Sequence, residues 1–323
     1  MPKTEKLKKA KRMSDVKIIQ VKETDDGMRL NRWFLKYYPK LSLGHLQKLL
    51  RTKQIKVDGK RAETSLKLSA GQEIRIPPLH LDEAAPRRTS DKISPQNTDF
   101  IRSLIIYKDD NIIVLNKPSG IAVQGGTNTS FHIDGMLEAL RFDQEEKPKL
   151  VHRIDKDTSG ILVLARNRQT ADILTKAFRE HKLPKTYITL VRGCPKKSSG
   201  EIKAPLEKIG EKVMVTDHGK PAHTLYQVLD NTGEKFALIM VSPLTGRTHQ
   251  IRAHMEYLGT PIIGDSKYYR QERQRFANIS DKLHLHAYKI DLSILYNKKM
   301  IITAPLAEHI KQSINNLGIN FKE

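Results

Sequence analysis

The chain has 323 residues, of which 38% are hydrophobic, and its 57 lysines and arginines against 36 acidic residues give a formal net charge of +21. This length accommodates two domains, and this hydrophobic share is enough to fill a core, which excludes a wholly disordered protein. So large a positive charge indicates a polyanionic partner, nucleic acid rather than a membrane. The single cysteine, Cys194, excludes an internal disulfide and a cysteine-cluster metal site.

The N-terminal segment and the lengths of the apolar stretches indicate the cellular compartment of the protein. Residues 1–17 hold seven lysines or arginines against two acids, which predicts a disordered basic tail that attracts phosphates without sequence preference. Met13 is an alternative candidate for the translation start. No apolar stretch approaches the roughly 18 residues of a membrane span, and no apolar signal core follows the basic residues, so we expect a cytoplasmic protein.

Residues 18–78 are predicted to form a small α+β domain. Apolar side chains at helical spacing predict a first helix, and Ser42 is placed to cap a second helix with a stripe of leucines. The Asp58-Gly59 pair predicts a tight hairpin, and residues 74–76 predict a further strand. The helical side chains are Leu30, Trp33, Phe34 and Tyr37 in the first helix, and Leu43, Leu46, Leu49 and Leu50 in the second.

The polar faces of these two helices are basic. Because the whole chain has a large positive charge, we interpret these faces as RNA-binding, and the alternative is an ordinary solvated surface. The candidate RNA contacts are Arg32, Lys48 and Arg51, accompanied by Lys36, Lys40 and Lys53.

A polar segment with two prolines, residues 79–98, is predicted to be a linker to a larger domain that spans residues 99–323. In that domain, apolar runs that end in turns predict strands, and amphipathic segments predict helices. The order of these elements indicates an α+β fold rather than a βαβ repeat. Strands are expected within 110–120, 160–166, 185–193 and 235–243, and helices within 169–182, 248–259 and 306–318.

The common sequence devices of enzymes are missing. The chain has no phosphate-binding glycine loop, no dinucleotide fingerprint and no nucleophile elbow. His249 and His254 lie five residues apart, which is poor spacing for one metal ion on a helix. His284 and His286 share a strand face, but no third ligand follows nearby. We therefore expect neither a metal site nor a cofactor.

The stretch LVHRIDKDTSGILVLAR, residues 150–166, places charges of both signs directly before a buried strand. Asp157 begins a turn and has a structural use there, as an acceptor of backbone N–H groups. Asp155 has no such use. A carboxylate between Arg153 and Lys156 is favoured in its ionised form, in which it is an adequate nucleophile toward a glycosidic carbon or an electron-poor ring. The alternative is that Asp155 belongs to a salt-bridge network within the loop.

Four stretches resemble motifs of the pseudouridine synthases that modify ribosomal and transfer RNA. HRIDKDTSG matches the family signature H-R-L-D-x-D-T-S-G with one conservative change, Ile154 for leucine. LNKPSGIAVQGG, KTYITLVRG and SPLTGRTHQIRAHM are similar to three further motifs, in the family's order. The small domain resembles the alpha-L RNA-binding domain. Within the family, the likeness is greatest to the branch that modifies three separate uridines of the bacterial large-subunit ribosomal RNA, and another rRNA or tRNA site is the alternative.

This resemblance implies a catalytic domain built on a mixed, largely antiparallel sheet, and a reaction that isomerises uridine to pseudouridine. It implies that Asp155 is the catalytic aspartate and that Arg252 pairs with it. It also implies that Tyr187 stacks on the target base and assists removal of the carbon-5 proton. Arg153 is implied to fill the gap left by an extruded nucleotide.

Apolar pocket walls are implied at Ile251 and Leu190. Strand periodicity, however, places Tyr187 and Leu190 on opposite faces of one strand, which argues against both lining one pocket. Further residues in the matching motifs are expected to support the site and RNA binding; they are Lys117, His152, Arg247, Thr248, His249 and Gln250.

The implied partner is 23S ribosomal RNA or a large-subunit precursor. We expect a monomer, because no apolar surface stripe is left over for a second copy. Since the reaction is an isomerisation, it needs no metal or redox carrier. Two other classes stay open: an RNA-binding assembly factor without chemistry, and a nucleosidase that releases the base. Loss of the aspartate or its arginine would favour the assembly factor, whereas Asp155, Tyr187 and Arg252 are all present.

Overall fold

The computed structural model describes residues 16–79, 93–126, 131–269, 278–296 and 298–322. The chain divides into two compact units, Met1–Asp91 and Lys92–Glu323. Residues 1–15 of the predicted tail and 80–92 of the predicted linker lie outside the described residues. None of the helices described is both long and apolar enough to cross a membrane.

The small unit packs two helices against a four-stranded antiparallel sheet ordered β1-β4-β2-β3. Its elements are β1 (Lys17–Gln20), a 3-10 helix (Glu23–Asp25), α1 (Leu30–Tyr37), α2 (Leu43–Arg51), β2 (Lys56–Val57), β3 (Lys60–Arg61) and β4 (Glu73–Ile76).

Local sequence accounts for the small unit's turns and caps. The Ser42 hydroxyl accepts a hydrogen bond from the His45 N–H, which confirms the predicted cap of α2. Asp58 and Gly59 both have positive φ, 47° and 71°, as a two-residue type I′ hairpin requires. The leucine stripe of α2 is buried except for Leu43, which is exposed because it lies at the first helical position, away from the sheet.

The large unit contains twelve further strands and five further α-helices among the residues described. They are α3 (Pro95–Ser103), β5 (Ile105–Lys108), β6 (Ile112–Lys117), α4 (Ile133–Met136), β7 (Lys149–Leu150), β8 (Ser159–Ala165), α5 (Arg168–Arg179), β9 (Lys185–Arg192), β10 (Ser199–Lys203), β11 (Leu206–Ile209), β12 (Lys212–Val215), β13 (His223–Thr232), β14 (Phe236–Pro243), α6 (Gln250–Tyr257), β15 (Leu285–Asp291), β16 (Ile301–Thr303) and α7 (Glu308–Asn316).

Ten of these strands form one mixed, largely antiparallel sheet, as expected. Its main path is β10-β13-β14-β9-β15-β8-β6-β5, with β16 paired to β15 and β7 paired to β8. Among the described strands, β8 and β15 form the parallel pair, and the other pairings are antiparallel. Strands β11 and β12 form a separate hairpin. The observed fold is therefore α+β.

Helices cover both faces of the sheet. Helix α5 packs on β6 and β8, and α6 packs on β14 and β9, on one face. Helices α3, α4 and α7 cover the opposite face. The side chain of Tyr187, on β9, contacts the clusters of both α5 and α6. This places Tyr187 at the gap between two helices, where a pocket opens.

Some predictions for the large unit need correction. Helix α3 begins at Pro95, inside the segment predicted as linker, because Ser94 caps it and proline suits its first turn. Strands β10 to β13 were not predicted; β11 and β12 are only four residues long, and β10 contains Gly200. On α5, Ile173 is 40% exposed, whereas Leu174 and Ala177 are buried.

Candidate active site

The loop that precedes β8 carries Asp155 and is closed by short-range contacts. The Thr158 N–H donates to the Asp155 carbonyl at 3.2 Å, which forms the expected turn. The predicted role of the Asp157 side chain is not observed, because among the described residues no hydrogen bond reaches its carboxylate, which is exposed. Its backbone carbonyl instead accepts from the Ser119 hydroxyl at 2.7 Å.

Gly160 fixes where this loop ends. It pairs with Ala287 in the parallel register between β8 and β15, and its φ is +101°. A Cβ atom on Gly160 would lie 2.2 Å from the Ala287 carbonyl oxygen. Only glycine lets the two strands approach this closely. This close approach explains why the signature has a glycine at position 160.

Lys117 anchors the loop from below. Its side chain is fully buried, and its amine donates to the carbonyls of Pro118, Ile121 and Lys156, each at 2.9 Å. The Gly120 N–H adds a second bond to the Lys156 carbonyl. Burial lowers the pKa of the Lys117 amine to about 7, against the opposing charges of nearby Asp157 and Asp155. Lys117 was predicted among the RNA-binding residues, but a fully buried amine cannot contact RNA.

Most of the predicted site residues meet at one cavity of about 330 Å³ in the large unit. Asp155 lies in its wall, with its side chain 34% exposed. Space of this size suits a small flat group such as a nucleobase. The predicted residues that line it are His152, Arg153, Asp155, Tyr187, Arg247, Thr248, His249, Gln250, Ile251 and Arg252.

Arg252 contacts Asp155, as expected, but holds another acid more tightly. Its Nη1 lies 3.6 Å from Asp155 Oδ2. Its Nε and Nη2 each donate to one oxygen of the buried Asp265, both at 2.7 Å. This two-bond pair is the stronger kind of arginine–carboxylate contact. Asp265 therefore holds the guanidinium in place beside Asp155.

His249 is the second group near the Asp155 carboxylate. Its Nε2 lies 3.7 Å from Asp155 Oδ2, and its Nδ1 lies 3.0 Å from the Tyr268 hydroxyl. Burial lowers the pKa of the His249 imidazole, which favours its neutral form. The backbone of His249, directly before α6, has φ 51° and ψ 22°, a left-handed conformation that is uncommon outside glycine.

Gln250 and His152 support the pocket wall. The Gln250 side chain accepts from Thr245 Oγ1 and Arg247 N–H and donates to Thr224 Oγ1 and the His223 carbonyl. It is buried and its described hydrogen bonds are all within the protein, so it supports the pocket wall.

His152 is likewise engaged within the protein. Its Nε2 accepts from the Val163 N–H at 2.8 Å, and its ring stacks on Phe178 with centroids 4.1 Å apart. Desolvation, helped by the charge of Lys185, lowers the pKa of His152 to about 3. His152 is therefore neutral near pH 7, and its described contacts shape the pocket rather than bind phosphate.

Tyr187 lies in the pocket wall, and Leu190 does not. Burial and the charge of Asp155 raise the pKa of the Tyr187 phenol to about 12. Leu190 packs in the cluster on the opposite sheet face, so its implied place in the pocket is wrong and the strand periodicity is right. Ile251 does line the pocket.

Cationic side chains surround the opening. Arg153 is exposed, and Arg247 is half-buried with its Nε donating to the Pro221 carbonyl at 3.0 Å. His181 and Lys185 also line the cavity, and burial lowers the pKa of each. Arg153 and Arg247 give the opening a positive character that suits a phosphate backbone, whereas the lowered pKa of His181 favours its neutral form.

The predicted contacts of the small unit are placed on its surface. Arg32, on α1, and Lys48 and Arg51, on α2, are all exposed. Lys36 differs, because its amine donates to the buried Asp25 at 2.7 Å. Lys36 is thus a structural cation rather than part of a free basic face.

Two site residues were missed by the sequence analysis, Asp265 and Tyr268. Asp265 follows Gly264 after the apolar pair Ile262-Ile263, whereas the charges around Asp155 come before an apolar run. Tyr268 gave no sequence signal of its own. Within the described ranges, no three His, Cys, Asp or Glu side chains are grouped to hold a metal ion.

A carboxylate held by an arginine, in a base-sized pocket with a cationic rim, on a mixed α+β sheet, defines the class of RNA-modifying enzymes that act on an extruded base. Comparisons with known proteins identify the family. A family model described as RNA pseudouridylate synthase matches residues 111–257.

Full-length relatives agree with that match. Ribosomal large subunit pseudouridine synthase C of Vibrio vulnificus is 36% identical over 94% of this chain and 96% of its own length. The protein of the same name from Escherichia coli K12 is 35% identical over 94% and 97%. RNA pseudouridine synthase 4, mitochondrial, of Arabidopsis thaliana is 34% identical over 92% and 81%.

A solved structure is also similar. Human RNA Pseudouridylate Synthase Domain Containing 4 aligns with a TM-score of 0.60 and 27% identity, covering 71% of this chain and 99% of the human chain. The chain belongs to the RNA pseudouridylate synthase family, and it is an enzyme of that family.

Proposed function

We propose that this enzyme converts uridine to pseudouridine in the large-subunit ribosomal RNA, at three separate uridines, with Asp155 as the nucleophile. The observation that supports this most directly is the Asp155 carboxylate in the pocket wall, with Arg252 and His249 both approaching its Oδ2. The large-subunit substrate is supported by the names of full-length relatives such as those of Vibrio vulnificus and Escherichia coli. The enzyme acts as a monomer in the cytoplasm.

The reaction rearranges bonds within one nucleotide. The bond from N1 to the sugar carbon C1′ breaks, a bond from C5 to C1′ forms, C5 loses a proton and N1 gains one. Atoms and electrons balance without a metal, oxidant or reductant. The Asp155 carboxylate attacks C1′ as the N1–C1′ bond breaks, or adds to C6 of the ring, and the base turns over. When the C5–C1′ bond has formed, the bond between Asp155 and the nucleotide is broken and the carboxylate is released.

The target uridine must leave its stack to enter the pocket, which costs a few kcal/mol. Stacking of the base on the Tyr187 ring returns about 1–3 kcal/mol. Arg153, exposed two residues before Asp155, is positioned to fill the space that the base leaves. Burial and the charge of Asp155 raise the pKa of the Tyr187 phenol to about 12, so Tyr187 is protonated at neutral pH when the base stacks on it.

The test is pseudouridine mapping of ribosomal RNA by carbodiimide modification and reverse transcription, in cells that lack the protein. Three scattered large-subunit uridines are expected to lose the modification, and wild-type protein is expected to restore it. Asp155→Asn is expected to restore none, because the product rate falls by several orders of magnitude. Asp157→Asn is the matched control, since its exposed carboxylate lies in the same loop, and it is expected to restore all three.

Other outcomes would redirect the proposal. Loss in one stem-loop, or only in transfer RNA, would keep the chemistry and replace the substrate. Unchanged modification everywhere would favour an RNA-binding assembly factor. Free uracil in a reaction of purified protein with RNA would indicate a nucleosidase.

A further inference from the structure

The hydrogen bonds around Tyr268 fix the direction in which its hydroxyl donates. The backbone N–H of Val213, on β12, donates to the Tyr268 oxygen at 3.0 Å. Among the described residues, the other hydrogen-bond partner of that oxygen is His249 Nδ1, also at 3.0 Å. A phenol has one proton to give, and a backbone N–H cannot accept it. The Tyr268 O–H therefore donates to His249 Nδ1.

This direction determines the tautomer of His249. Burial raises the pKa of Tyr268 and lowers that of His249, so the phenol keeps its proton and the imidazole is neutral. A neutral imidazole that accepts at Nδ1 has its proton on Nε2. That N–H group is the one near Asp155 Oδ2, at 3.7 Å.

Both donors of the pocket approach the same oxygen of Asp155. Arg252 Nη1 lies 3.6 Å from Oδ2, and His249 Nε2 lies 3.7 Å from it. Among the described residues, no donor is placed on Oδ1. Contacts of this length in the absence of substrate are typical of catalytic hydrogen bonds that shorten when the substrate is bound.

The backbone of His249 has a left-handed conformation that is costly for a residue with a side chain. A left-handed conformation at a residue with a side chain costs about 1–2 kcal/mol, and such strain persists where the surrounding structure holds it. Asparagine and histidine both adopt this conformation more readily than most residues with a side chain. At His249 it directs the imidazole toward Asp155 and Tyr268.

We propose that His249 is a positioning residue that binds Oδ2 of Asp155 through its Nε2–H and leaves Oδ1 as the oxygen that reacts with the nucleotide. Tyr268 orients His249 by fixing its tautomer. The inference rests on the proposed role of Asp155.

The test compares variants of His249 whose side-chain N–H group extends to different distances toward Asp155. The Gln side-chain amide reaches the position of Nε2, whereas the Asn amide is one carbon shorter and falls short of Asp155. His249→Gln and His249→Asn are measured beside wild type, Tyr268→Phe and Asp155→Asn. The readouts are the single-turnover rate of pseudouridine formation in a large-subunit RNA fragment and the Kd for that fragment.

We expect His249→Asn to lower the single-turnover rate about ten- to a hundredfold, the loss of one hydrogen bond to a charged group, with Kd changed less than twofold. His249→Gln should recover most of that rate, and Tyr268→Phe should lower it about three- to tenfold. Because asparagine suits the backbone, a low rate for His249→Asn is not a folding defect, and thermal unfolding checks this.

A rate for His249→Asn within twofold of wild type would overturn the inference, as would His249→Gln as slow as His249→Asn. If wild type itself forms no pseudouridine in any large-subunit RNA, the proposed function fails instead. If wild type is active and Asp155→Asn is not, the proposed function stands and the His249 variants decide the inference alone.

Discussion

Arg252 gives its two short hydrogen bonds, both 2.7 Å, to Asp265, and reaches Asp155 only with its third nitrogen, at 3.6 Å. The side chain of Asp265 is fully buried and also accepts from the N–H groups of Lys267 and Tyr268. Asp265 thus neutralises the charge of Arg252, while the third nitrogen of Arg252 lies near Asp155. This arrangement leaves the Asp155 carboxylate unblocked, because no tight pair covers it.

Replacing Asp265 should harm both folding and catalysis. Asp265→Asn leaves the buried Arg252 without its counter-charge, which costs about 3–5 kcal/mol in the free energy of unfolding. The freed guanidinium should then shift, and we expect single-turnover activity to fall at least tenfold. Urea unfolding and single-turnover kinetics measure the two effects. Asp217→Asn, at an exposed site, is the control and should change stability by less than about 0.5 kcal/mol. A variant of Asp265 as stable as this control would contradict the assigned role.

Gly160 should not tolerate a side chain. Gly160→Ala would place a methyl group 2.2 Å from the Ala287 carbonyl oxygen, so β8 and β15 must separate. We expect a loss of more than about 3 kcal/mol in the free energy of unfolding. Gly233→Ala is the matched control, because Gly233 also has positive φ, 59°, but has no atom within 4 Å of the added carbon. It should cost only the backbone strain of about 1–2 kcal/mol. Equal stability of the two variants would refute the close contact.

The stability of the large unit should fall in mild acid because of His152. Its pKa is about 3 in the folded chain, against an ordinary value of about 6.5, so between these values the unfolded chain binds a proton that the folded chain does not. The free energy of unfolding therefore decreases as pH falls below about 6.5, by about 2 kcal/mol at pH 5.

His152→Gln isolates this effect, since glutamine accepts from the Val163 N–H without titrating. Urea unfolding at pH 7.5 and pH 5 should show a smaller acid loss for the variant than for wild type. Other buried histidines, such as His284 with a pKa of about 4, contribute equally to both proteins and cancel in the comparison. A difference between the two proteins that does not change with pH would count against the prediction.

The small unit should supply part of the salt-dependent RNA affinity. Replacing Arg32, Lys48 and Arg51 together by glutamine removes three phosphate contacts, and the slope of log K against log salt should become shallower by about 2–3. The substitution is surface-exposed, so thermal unfolding should be unchanged. Replacing the exposed Lys196, Lys197 and Lys235 of the large unit is the control, which we expect to leave the slope unaltered. If both triple variants give the wild-type slope, the small unit is not an RNA contact.

Sequence patterns predicted the parts of the site that lie close together in the chain. The turn after Asp155, the buried strand that follows Ser159 and the opposite orientations of Tyr187 and Leu190 depend on neighbours within a few residues. Local spacing is sufficient for such features, because turn chemistry and strand alternation are short-range properties.

The remaining features depend on contacts between distant segments. Asp265 takes the short bonds of Arg252 because a loop returns it to α6, and Gly160 meets Ala287 because β15 is inserted beside β8. Lys117 was expected to support the site and RNA binding because it lies in a stretch that resembles a family motif. Its burial requires carbonyls that converge only when two loops meet.

The amine of Lys117 spans two loops that are 39 residues apart, and thereby ties the segment behind Asp155 to the body of the sheet. The loop is consequently preorganised: its order is established when the chain folds and does not depend on RNA arrival. With the role proposed for Asp155, the enzyme meets its substrate with this carboxylate already in place. The conformational adjustment on binding then falls on the nucleotide, which must turn out of its helix, and not on the loop that carries Asp155.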